Sequence, residues 1–263
     1  MPTLNRAKKR RKALEKIISI VDNSTHSLAS HYSCESFYNI PNGRTPRITS
    51  IAIRYLGTGQ TKSFSIHKVA ELKKVPFEEI EEKYNELERE MLSDYYSFVR
   101  THRSFAWVHW NMRDINYGFE ALDHRFAVLG GTPESISDDN KVDLSRYLVD
   151  IYGLRYIGHP RFQKIIEKNN ITSKDMLTGA DEAEAFTNKE YVKLHQSTLR
   201  KVDCIQTILE RVAGGNLETD SKLLDKYGFS IQGIAEMIKE NWILQLISAI
   251  FMLILGGYIG SLF

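Results

Sequence analysis

The end of the chain, residues 242–263, reads WILQLISAIFMLILGGYIGSLF and carries no charged side chain. As a helix rising ~1.5 Å per residue it would be roughly 33 Å long, close to the ~30 Å hydrocarbon core of a bilayer. Gln245, Ser248 and Ser261 are its strongly polar side chains, and they do not form the polar stripe expected of a helix on a globular surface. The stretch therefore predicts one C-terminal transmembrane helix, with the lipid bilayer as its partner. The apolar residues at 17–21 are too few for a secretory signal. Lys222, Lys226 and Lys239 precede the span, so the positive-inside rule predicts a single-pass membrane protein with the bulk of the chain cytoplasmic. Gly256 and Gly260, with Gly257 and Ser261 repeating the spacing, would let two such helices approach closely, which predicts a homo-oligomer through that face.

The remainder has an ordinary globular composition. Lys and Arg number 35 against 33 Asp and Glu, so the net charge of +2 does not by itself demand a polyanionic partner. The basic charge is concentrated instead at Arg6, Lys8, Lys9, Arg10, Arg11, Lys12 and Lys16. This run reads as a helix that would lie on anionic headgroups, grip nucleic-acid phosphates, or simply fray in water. The two cysteines, Cys34 and Cys204, are too few for a disulfide framework and suit a reducing compartment.

Four segments follow from the patterning: a basic N-terminal helix over 1–29, an α/β domain over 30–212, a helical stalk over 213–241 and the transmembrane helix over 242–263. Within the α/β domain, strands are predicted at 31–38, 48–55 and 61–67. The alternation of Ile51, Ile53 and Tyr55 and the Gly57-Thr58-Gly59 turn mark a hairpin. A helix is predicted from Pro76 to about Arg100, a buried strand over 104–110, and a helix over 113–129. Residues 143–152 are ambiguous; 161–169 and most of 182–212 read as helix. A mixed sheet flanked by helices fits this order.

Three short stretches carry acids and histidines at suggestive spacings. They are Ser33-Cys34-Glu35 in the first strand, His109-Trp110-Asn111-Met112-Arg113-Asp114 after the fourth, and His195 followed by Asp203 on a late helix. Strand order and spacing resemble the DEDD-type 3′–5′ exonuclease superfamily, over roughly residues 30–212. That resemblance implies a ribonuclease H-like fold and two-metal phosphodiester hydrolysis with Mg2+ or Mn2+. It implies Glu35, Asp114 and Asp203 as metal ligands and catalytic carboxylates, with His195 as the general base. The sequence departs from the family pattern where the first acid is replaced by Ser33, and the Asn after His109 and the His before Asp203 are displaced in register. Serine cannot offset two dications, so the motif is degenerate.

The same region offers nucleic-acid contacts. His109, Asn111 and Arg113 lie beside Trp107 and Trp110, and guanidinium groups next to aromatic faces suit phosphates and stacked bases. The competing reading puts the aromatic rings in the core. Arg161 follows His159-Pro160 at a helix start, where free N–H groups favour an anion. No Walker loop, CxxC pair, HExxH or GxSxG occurs. Two functions remain: a membrane-anchored, exonuclease-like protein that binds or hydrolyses nucleic acid, or a non-enzymatic membrane-tethered sensor or effector signalling through the transmembrane helix.

Overall fold

The structure, a computed structural model, describes residues 4–36, 45–113 and 116–260. Five strands form one mixed sheet: β1 (Ser27–Cys34), β2 (Ile48–Tyr55), β3 (Thr61–Ser65), β4 (Ala106–His109) and β5 (Lys141–Asp143), in the order β3-β2-β1-β4-β5. β1, β2 and β3 pair antiparallel, whereas β4 and β5 continue from β1 in parallel. The chain is thus α/β, as the patterning predicts. β2 coincides with its predicted span. β1 begins and ends four residues earlier, because Leu28 and Tyr32 supply its buried side chains while Glu35 already lies beyond the strand.

Helices cover both faces. On one lie α2 (Ile66–Leu72), α3 (Tyr84–His102) and α4 (Phe119–Val128). Their core joins Leu28, Tyr32, Ile51 and Ile53 of the sheet to Leu87, Met91, Tyr95 and Val99 of α3, with Trp107 fully buried. The other face carries α1 (Leu4–Asp22), α5 (Leu144–Tyr152), α6 (Arg161–Lys168) and α8 (Tyr191–Ala213), the last led in by α7 (Gly179–Thr187). There Ala29, Ala52, Val108 and Val142 pack against Val202, Ile205 and Ile208. Residues 143–152 resolve as helix because Asp143 caps it, its side chain accepting from Ser145 N–H. The helix predicted over 113–129 begins only at Phe119.

The N-terminal segment is helical, as predicted, and packs on the domain. Ala7, Arg10, Ala13, Ile17 and Ile20 form a buried stripe at helical spacing, and Ala13, Ile17 and Ile20 join the α5–α8 core. Residues 213–241, predicted as a helical stalk, hold α9 (Leu223–Tyr227) and α10 (Ile231–Glu240), broken at Gly228, whose φ of 74° suits glycine. Arg10 and Arg11 of α1 reach Glu240 and Glu236 of α10 at 2.9 and 3.5 Å. Part of the basic run is therefore engaged internally.

The apolar end forms α11 (Trp242–Gly260), which packs on α10. No single helix among the described residues is both long and apolar enough to cross a membrane. The pair Ile231–Glu240 and Trp242–Gly257, bent by 111° at its break, passes that test by length and composition. From Trp242 to Gly257 no residue is buried. Nothing stands within 4 Å of where a Cβ on Gly256 would sit, and Gly260 is the last residue of the helix.

The α3–α4 contact holds a fully buried ion pair. Arg125 Nε donates to Glu88 Oε1 at 3.0 Å and its Nη2 contacts Glu88 Oε2, while Ile48 N–H donates to the same carboxylate at 2.7 Å. Removing one partner strands the other charge, which costs about 3–5 kcal/mol, whereas apolar replacement of both is far milder. Glu88→Ala should therefore lower unfolding stability in urea by that amount, and Glu88→Leu with Arg125→Met by clearly less. Equal losses in the single and double variants would show that the pair is not a structural strut.

Candidate nucleic-acid interface

β4 and β5 end side by side, with His109 paired to Asp143. In open sheets the crevice outside the carboxyl ends of parallel strands is where ligands bind. The chain turns sharply there at Asn111, whose φ of 56° lies in the left-handed region that asparagine tolerates. Asp143 holds the turn: its Oδ1 accepts from Asn111 N–H at 3.0 Å and from Ser145 N–H and Oγ at 3.1 and 2.7 Å, and Arg113 pairs with its Oδ2. Gly118 closes the loop by bridging to Arg113. A Cβ on Gly118 would stand 2.8 Å from the Met112 carbonyl, so no larger residue fits without a shift.

Outside this turn lies a cleft of about 580 Å³, between the β4 loop, α5, the start of α6 and Lys9 of α1. Lys9, Arg113, Arg146 and Arg161 line it against one carboxylate, Asp150, which pairs with Lys9 at 2.8 Å. Arg146 is exposed and makes no ion pair among the described residues. Arg161 donates to the Leu154 carbonyl at 2.9 Å and lies 5.5 Å over the Tyr156 ring, with its Nε buried and unpartnered among the described residues. Trp110 and Phe162 meet at one side, ring centroids 4.8 Å apart. The cleft thus combines a cationic surplus with half-buried aromatic rings.

The structure brings Asn111, Arg113 and Arg161 to this one place. His109 lies behind them, buried, and is a support for the loop and not a surface contact. Its Nδ1 accepts from Met112 N–H at 3.1 Å, which requires the neutral ring, and burial pushes its pKa down to about 4. Arg146, Lys9 and Phe162 were not legible as site residues. Arg146 falls in the segment whose pattern was ambiguous, and Lys9 in the run read as a separate helix. Trp107 is core, as the competing reading had it.

Of the expected metal ligands, Glu35 and Asp203 are each held by arginine in different places. Glu35 lies 3.4 Å from Arg47, which also pairs with Glu81 at 2.7 Å. Asp203 pairs with Arg54 at 2.8 Å and Arg200 at 3.0 Å. Arg54 sits opposite Ala29, six residues before Glu35, so the backbone positions beside the two ion pairs lie about 20 Å apart along the strand at ~3.3 Å per residue. Asp114 lies outside the described residues. His195 meets neither carboxylate: it is buried against His67, ring centroids 5.2 Å apart, and burial pushes its pKa down to about 4. Among the described residues no three His, Cys, Asp or Glu side chains are grouped to hold a metal ion.

Ser33 instead joins a hydroxyl network. It donates to Glu182 Oε1 at 2.8 Å and accepts from Thr198 at 2.9 Å, while Ser50 and Thr198 lie 2.8 Å apart. Ser197 also donates to Glu182, whose charge is balanced by Lys201 at 2.7 Å. Beside β1 the positive charge is thus supplied by an ammonium group. His31, close by, is held well below its usual pKa by burial, then by Lys201 and His109.

The chain matches no family model, no curated protein and no solved structure.

His109 and His195 supply a pH test. Both are neutral when folded down to about pH 4, while in the unfolded chain they protonate near 6.5. The unfolded state then binds more protons between those values, so stability falls as pH drops through that window. Urea midpoints should decline from pH 7 to pH 4.5, by up to about 3 kcal/mol per histidine. His195→Leu should flatten the decline, and an unaltered slope in that variant would refute the assignment.

Proposed function

We propose that this chain is a membrane-tethered domain of ribonuclease H-like arrangement that binds single-stranded nucleic acid in the cleft beside β4 and β5. The cleft carries the reading: of its four cations Lys9 and Arg113 are paired with Asp150 and Asp143, Arg146 and Arg161 make no ion pair among the described residues, and Trp110 and Phe162 offer apolar ring surface for a base. Phosphates suit Arg146 and Arg161, and base–aromatic stacking tolerates any sequence. The sheet order, with an antiparallel β1–β3 meander continued by parallel β4 and β5, supports the ribonuclease H-like comparison. Binding is favoured over hydrolysis because Glu35 and Asp203 are each bound to arginine far from one another. This is the binding form of the first of the two functions open to the sequence, the exonuclease-like protein that binds or hydrolyses nucleic acid.

The tether rests on α11. Its 19 residues rise roughly 28 Å at ~1.5 Å each, and its uncharged side chains lie open from Trp242 to Gly257. Lipid is the solvent that satisfies such a helix. With Lys222, Lys226 and Lys239 before it, the domain sits on the cytoplasmic side.

Fluorescence anisotropy with labelled single-stranded DNA and RNA, on full-length protein in nanodiscs, tests the cleft. Binding should weaken with salt, and Arg146→Ala and Arg161→Ala should each reduce the log–log salt slope by about 0.7. Binding that both variants leave unchanged would remove the cleft from the function. Independently, the full-length chain should stay in the membrane pellet after carbonate washing, and deletion of residues 242–263 should release it. Recovery of the intact chain in the wash would overturn the tether.

A further inference from the structure

The amphipathicity of α10 is inverted relative to a helix that covers a globular core. Glu236 and Glu240, on its charged side, face inward to Arg11 and Arg10 of α1, and Gly233 is buried against the end of α9, where a Cβ would stand 2.3 Å from the Tyr227 carbonyl. Tyr227 hydroxyl also donates to Glu240 at 2.7 Å. The opposite side carries Ile231, Ile234, Ala235 and Ile238 at positions i, i+3, i+4 and i+7, which is one helical stripe. Ile231 is 89% exposed and Ile234 44%, with Phe229, just before the helix, at 72%. An apolar stripe kept outward by ion pairs on its back is not awaiting the domain's own core.

We infer that α10 is an interfacial helix that lies in the headgroup layer of an anionic bilayer, with Phe229, Ile231, Ile234 and Ile238 dipping into the acyl boundary. The inference rests on the membrane reading of α11, with which α10 is continuous. With α11 along the bilayer normal, the 111° bend sets α10 within 21° of the membrane plane (111° less 90°). In-plane helices of this kind bury their apolar side by about 5–10 Å. Lys239, exposed at the flank of the stripe, is placed to snorkel toward phosphates. Lys8 and Lys12, one turn apart on the outer side of α1, add charge that is not engaged internally and that favours an anionic lipid surface over a neutral one. The ion pairs to α1 would then hold the whole domain at a fixed angle to the membrane.

The test uses the full-length chain in nanodiscs of phosphatidylcholine and phosphatidylserine, with an environment-sensitive fluorophore on single introduced cysteines. The two native cysteines, Cys34 and Cys204, are first replaced in a Cys34→Ser, Cys204→Ala background so that the label goes only to the introduced thiol. Labels at Ile231→Cys and Ile234→Cys should emit blue-shifted and be quenched by a lipid-borne quencher. A label at Gln232→Cys, off the stripe, should be quenched by aqueous iodide. If the stripe positions are as open to iodide as Gln232 while a label at Leu253→Cys is quenched from lipid, the tether stands and the interfacial helix is refuted. If Leu253→Cys is itself open to iodide, the tether fails and this inference falls with it.

Discussion

The Asp143 carboxylate, nearly closed off from solvent, is where strand, helix and loop are tied together. Four donors reach it: the Asn111 and Ser145 N–H groups, the Ser145 hydroxyl and the Arg113 guanidinium. Burying a carboxylate is costly unless it is paired and fully hydrogen-bonded, and here both conditions hold. The same atoms stop β5, start α5 and force the left-handed turn at Asn111. One wall of the cleft depends on this knot: Trp110 and Arg113 through the turn, Arg146 through the helix that Asp143 caps. Asp143 also neutralises only part of the local charge. Arg146 and Arg161 remain without carboxylate partners, so the cleft stays cationic.

How much of this was legible follows element by element. β2 read correctly because Ile51, Ile53 and Tyr55 alternate between sharp turn signals. β5 did not, since a strand of three residues, Lys141–Asp143, leaves no period to detect. α1 was found as a helix, but its basic residues masked a buried stripe built on two alanines, an arginine and two isoleucines. The cleft was half legible: Asn111, Arg113 and Arg161 were named from local chemistry, while Arg146 and Lys9 join them only through tertiary packing. The carboxylates misled for the opposite reason. Spacing along the chain says nothing of an arginine brought in by folding, and Arg47, just before β2, and Arg54 on β2 each hold an acid that the family resemblance had offered to a metal.

The network at Ser33 joins hydroxyl groups to a single ion pair, Glu182 with Lys201. A dication pair needs several carboxylates to offset it, whereas Glu182 alone balances Lys201. The hydroxyls of Ser33, Ser197, Thr198 and Ser50 then fill the remaining hydrogen-bonding capacity between the centre of the sheet and α8. Such a pair is sensitive to losing one partner but is not itself a large source of stability. Its effect is positional, since it fixes α7 and α8 against β1, and Lys201 adds to the burial that holds the pKa of the neighbouring His31 down.

α1 links the two halves of the functional reading. Lys9 reaches the cleft, and the next residues, Arg10 and Arg11, reach α10. The helix between them is not free to slide: Ala7, Ala13, Ile17 and Ile20 are buried, and Arg6 donates from its Nε to the Asp225 carbonyl at 2.9 Å. A helix packed in this way acts as a strut between the cleft and α10. It transmits orientation. On the proposed membrane reading, the angle at which α10 would meet a bilayer is handed through α1 to the walls of the cleft, so the ion pairs from Arg10 and Arg11 to α10 would also set how the cleft is presented to a polyanion.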